Sequence, residues 1–107
     1  MNQEIPLVCT MDVFNREQRE DHIRETIQLI KAMQNIREIQ NGYEFVFPNE
    51  SQYITGIAEF IANERLCCPF LEFGLNVKSN DPSISLSLSG PVGTQEFLRA
   101  EFEEVFQ

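Results

Sequence analysis

The chain has no tryptophan and only two tyrosines among its 107 residues. Nearly all of its aromatic bulk is nine phenylalanines, rings that fill a core without needing a hydrogen-bond partner. Positive charge is scarce as well: eight Lys and Arg stand singly against seventeen Asp and Glu, for a net charge of −9. That leaves no basic face for nucleic acid, and an anionic membrane surface would repel the chain. No apolar run approaches the ~20 residues of a membrane span. The opening "MNQEIPLVC" places Leu7 shortly before Cys9 but lacks the basic and apolar regions of a signal or lipoprotein leader, so the expected location is cytoplasmic. There is one histidine, His22, set among acids on the first expected helix, where it reads as a surface residue. There is no Cys-x-x-Cys. Three cysteines, an odd number without a secretory leader, read as reduced thiols rather than as a disulfide framework.

What is present has the composition of an ordinary globular protein, 42% hydrophobic and 23% charged. Its length suits a single domain, 1–107, with one core. The segment "PLVCTMDVF" alternates, with Leu7, Cys9, Met11 and Val13 on one face, and predicts a first strand. A helix is expected from the cap Asn15 to about Ile39, with Ile23, Ile27, Ile30, Met33 (or Gln34) and Ile36 as its buried stripe and Asn41-Gly42 as its end. Tyr43, Phe45 and Phe47 share a face of the second strand. Asn49 and Gln52 suggest a capping box for the next helix. Its inner residues are Ile54, Ile57, Ala58 and Ile61, and it should stop before Pro69.

Leu71, Phe73, Leu75 and Val77 then face inward from a third strand, and "SNDPS" has the composition of a hairpin turn. The clearest alternation in the chain is "SISLSLSG", with Ile84, Leu86 and Leu88 on one face and serines on the other, the pattern of an antiparallel strand with one wet side. "GPVGT" leads into a last helix carrying Phe97, Leu98, Phe102, Val105 and Phe106; without a lysine or the full glycine pattern it reads as a turn with a helix cap, not a phosphate loop. The expected fold is α+β: a two-layer sandwich of a largely antiparallel four-stranded sheet with helices on one face, in the order β-α-β-α-β-β-α.

The chemistry-bearing stretch is "NERLCCPFLEFGL", residues 63–75. Cys67 and Cys68 are neighbours, with Cα atoms about 3.8 Å apart, closer than a relaxed disulfide allows. They can cooperate through a shared soft metal ion or an external thiol, provided that a backbone break at Pro69 turns both sulfurs the same way. Glu64, three and four residues upstream, lies on the side of one thiol while the helix lasts. Two thiolates and a carboxylate suit a thiophilic ion such as Zn(II), Cu(I) or Hg(II). Cys9 is available as a third sulfur, though no spacing requires it. The competing reading makes both cysteines small core residues under Phe70. Catalysis is disfavoured, because a helix C-terminus opposes a thiolate and only Arg65 is a nearby cation.

Glu64, Arg65, Cys67, Cys68, Pro69 and Phe70, with Gly90, Pro91, Gly93, Phe97 and Leu98 downstream, resemble a group of small bacterial proteins of unassigned function. These share Glu-Arg-x-Cys-Cys-Pro-Phe, an alternating strand and a Gly-Pro-x-Gly-x-x-x-Phe-Leu segment. The similarity spans most of residues 40–100 and implies a recurring Glu-Arg/Cys-Cys corner with a functional role, but no reaction. Two readings follow. In the first, Cys67 and Cys68, helped by Glu64, bind a soft metal such as Zn(II) or an external thiol. In the second, the chain is a non-enzymatic homodimeric interaction module whose cysteines only pack.

Overall fold

In a computed structural model, which describes residues 7–103, helix α1 (Arg16–Ala32) is followed by strands β1 (Asn35–Ile39) and β2 (Gly42–Pro48). Helix α2 (Ser51–Cys67), strands β3 (Glu72–Val77) and β4 (Ser83–Ser89) and helix α3 (Thr94–Glu101) complete the chain. The strands form one antiparallel sheet in the order β1-β2-β4-β3. Its register sets Ile36, Phe45, Leu86 and Leu75 side by side across the four strands. Alternate residues of β2 and β4 are buried, among them Phe45, Phe47, Ile84, Leu86 and Leu88. Leu29 from α1, Phe60 from α2 and Phe102 at the end of α3 meet Phe45 and Leu86 in the core. The expected α+β class, with a four-stranded antiparallel sheet under helices, is the observed one.

The order at the start differs from expectation: α-β-β-α-β-β-α, after a short 3-10 turn at Met11–Val13. Residues 7–14 form an arm rather than a strand, tied down by a hydrogen bond from Thr10 N to Cys67 O (2.7 Å) and by buried Phe14. The first strand is supplied instead by the segment expected to end the first helix. Met33 turns to an extended conformation, and Gln34 N donates to Val46 O at 2.7 Å, which pulls the chain into the sheet. Asn41-Gly42 therefore belongs to a hairpin and does not end a helix: Ile39 pairs with Gly42, so the two-residue turn is Gln40-Asn41 and Gly42 opens β2. Asn41 takes the left-handed conformation (φ 56°), while Gly42 sits so close to β4 that a Cβ would overlap the Leu88 carbonyl oxygen.

Asn15 caps α1 as expected, in a reciprocal box with Gln18 (2.8 and 3.0 Å). Asn49 does not cap α2. Its side chain donates to Asp81 O at 2.8 Å, tying the helix start to the β3–β4 hairpin, and Glu50 takes the cap position without a side-chain bond. Val105 and Phe106 lie outside the described residues. Among those residues, no helix is long and apolar enough to cross a membrane.

Candidate metal centre

Helix α2 buries Ile57, Phe60, Glu64 and Cys67, at intervals of three and four residues. The stripe that seats the helix on the sheet thus ends in a carboxylate and a thiol. Expected inner residues fare unevenly: Ile57 is fully buried, Ile54 and Ile61 are half-buried, and Ala58 faces solvent. Pro69 stops the helix where expected. Cys68 is its C-cap, with φ −121° and ψ 73°, and its N–H bonds Glu64 O at 2.8 Å. This non-helical residue turns the second sulfur back beside the first, leaving Cys67 Sγ and Cys68 Sγ 3.9 Å apart.

The arm before α1 brings the third sulfur. Cys9 is bonded to Cys68 in a disulfide spanning 59 residues, with Cα atoms 4.5 Å apart, and Cys67 is the free thiol. The expectation of three reduced thiols is corrected in this structure. An odd cysteine count could not anticipate that the arm folds back over the end of α2. Cys9, Glu64, Cys67 and Cys68 offer four donor atoms that all lie within 4.8 Å of one another. All but Cys9, which is half-buried, are buried.

His22 corrects a second expectation. It is not a surface residue but 4% exposed, packed between Phe14 (ring centroids 5.5 Å) and Phe60 (5.8 Å, stacked). The burying face of α1 runs through His22 and Leu29, whereas Ile23 and Ile27 are 48% and 45% exposed. His22 Nε2 donates to Glu64 Oε1 at 3.1 Å, and the Cys67 thiol donates to the same oxygen at 3.0 Å. His22 Nδ1 is buried without a hydrogen-bond partner among the described residues.

Burial, reinforced by the hydrogen bond to Glu64 and then by its charge, pushes the Cys67 thiol up to about 12. A nucleophilic cysteine needs the opposite shift. A metal ion is different, because coordination removes the thiol proton outright. Beside His22 and Glu64 opens a cleft of about 400 Å3, lined also by Ile27, Glu101 and Glu103. Glu101, though exposed overall, has its carboxyl raised by partial desolvation and by the Glu64 charge.

The structure brings all three expected site residues, Glu64, Cys67 and Cys68, to one place. Cys9 joins them from an arm read as a strand, where no spacing pointed to the pocket. His22 was read as a surface residue, although His22, Thr26, Leu29 and Met33 form a stripe at helical spacing as regular as the isoleucine one. The Gly90–Gly93 segment serves as expected to start α3: Gly93 caps it with φ 102°, and the buried Thr94 hydroxyl donates to Pro91 O at 2.6 Å. No family model, curated protein or solved structure matches the chain.

Proposed function

We propose that the reduced protein binds a soft metal ion, Zn(II) or a more thiophilic relative, through the thiolates of Cys9, Cys67 and Cys68 and the carboxylate of Glu64. The convergence of four donor atoms in one largely buried pocket carries the reading. Around a tetrahedral ion with bonds of about 2.3 Å to sulfur, neighbouring sulfurs stand roughly 3.8 Å apart. The Cys67–Cys68 separation of 3.9 Å fits that spacing. His22 would hold Glu64 in place, as hydrogen-bonded partners of metal ligands do. The acidic cleft over His22 and Glu64 supplies a route attractive to cations. Cysteines that merely pack would not need a buried carboxylate and imidazole among them, because both carry a desolvation cost. A reducing compartment such as the cytoplasm would keep the thiols available.

The test is a thiol count on the reduced protein with and without Zn(II), followed by desalting and metal analysis. The expected result is about one ion retained per chain, protection of the thiols from labelling, and loss of both effects in Cys67→Ser and Cys68→Ser. Thiols that label equally with or without metal, in a chain that retains none, would refute the reading. A second reading rests on Ile23 and Ile27, exposed together on α1: self-association through that face, with structural cysteines. It predicts a metal-independent dimer that Ile23→Asp disrupts.

A further inference from the structure

Two of the four donors are also partners in a disulfide. We infer that the pocket is a redox-gated metal site: oxidation of Cys9 and Cys68 by a low-molecular-weight disulfide expels the bound ion, and reduction restores the site. The inference rests on the metal-binding reading and adds its regulation.

A sulfur tied into a disulfide has no thiolate charge to offer a metal. Forming the bridge reduces the donors to Cys67 and Glu64, two where a closed zinc site uses four. Geometry selects the pair that oxidises. Cys67 and Cys68 are sequence neighbours, too close for a relaxed bridge. Cys9 and Cys68, with Cα atoms 4.5 Å apart, fall within the usual range. Exposure selects the sulfur that reacts first: Cys9 is half-buried on the arm, whereas Cys67 and Cys68 are wholly buried. The hydrogen bond from Thr10 N to Cys67 O involves none of the sulfurs, so the arm can stay docked in both states.

The chemistry balances in two exchanges. The Cys9 thiolate attacks one sulfur of the external disulfide, forming a mixed disulfide and releasing one small thiolate. The Cys68 thiolate then attacks Cys9 Sγ and displaces the second. Two protein thiolates are oxidised and one small disulfide is reduced to two thiolates, with no proton consumed. The ion departs, and Cys67 takes a proton from water, which restores its hydrogen bond to Glu64 Oε1.

The test loads the reduced chain with Zn(II), desalts it and adds oxidised glutathione. A chromogenic chelator reads the released metal, and mass spectrometry maps the disulfides. The expected result is loss of about one equivalent of Zn(II), in step with the Cys9–Cys68 bridge and reversed by a reductant. Zinc that stays bound while the bridge forms completely would overturn the gate and leave the metal site standing. Zinc lost without that bridge would overturn the assignment of Cys9 and Cys68 as the gate. A reduced chain that holds no zinc before oxidant is added would overturn the metal reading, and the gate with it.

Discussion

At the scale of single residues, the chemistry gathers on Glu64 Oε1, which receives His22 at 3.1 Å and the Cys67 thiol at 3.0 Å. Removing the imidazole leaves the carboxylate buried without its orienting partner. His22→Ala should therefore weaken metal affinity by roughly 10- to 100-fold while the metal still binds through sulfur; competition with a chelator of known affinity measures this. The Cys67 thiol, raised from an ordinary 9.0 to about 12, gives a second prediction. The fold favours its protonated form. Its contribution to stability is therefore complete below pH 9.0 and is lost as the pH climbs through about 12. In the oxidised native protein, Cys67 should resist alkylation at neutral pH and label only on unfolding. Fast labelling of the folded chain would contradict that. Metal uptake must displace this proton, so affinity should rise with pH.

At the scale of elements, α2 connects the core to the site, since one stripe carries Ile57 and Phe60 into the core and Glu64 and Cys67 into the pocket. Ile57→Ala should cost about 2–5 kcal/mol in chemical denaturation, whereas Ile23→Ala, on the exposed side of α1, should stay within about 0.5 kcal/mol. Alternation was a sound guide at β2 and β4, which bury the aromatic and aliphatic residues that the pattern named. It misled at residues 7–14, which alternate as regularly and form an arm, and at Val77 of β3, which is exposed rather than inward. The stop at Pro69 was legible too, because proline constrains the residue before it whatever the tertiary context. The turn from α1 to β1 was not. Ile36 and Ile39 fit a continuing helical period as well as a strand, and the pairing of this segment with β2, from Gln34 N bonding Val46 O to Ile39 opposite Gly42, decides between them. His22 was read as a surface residue from the acids around it in sequence; contact with Phe14 and Phe60 makes it the buried one, while Ile23 and Ile27 of the expected stripe are exposed. Proximity of Cys67 to Glu64 follows from helical spacing, but the position of Cys9 depends on an arm that no local pattern places.

At the scale of the whole molecule, the arm is held to the rest of the fold by a covalent bridge in one redox state and, on this account, by a shared ion in the other. A disulfide closing a span of 59 residues constrains the unfolded chain; the chain-entropy estimate is about 4 kcal/mol. The reduced, metal-free protein should thus unfold at lower denaturant than the oxidised one, and Zn(II) should recover part of the difference for the reduced form alone. The most direct test of the central claim is the absorption spectrum of the reduced protein titrated with Co(II), a spectroscopic stand-in for zinc. The account predicts intense thiolate-to-metal charge-transfer bands and tetrahedral ligand-field bands that saturate at about one ion per chain and vanish in the Cys67→Ser/Cys68→Ser protein. A spectrum no different from that of the hydrated ion would contradict it, and the cysteine corner would then be packing alone.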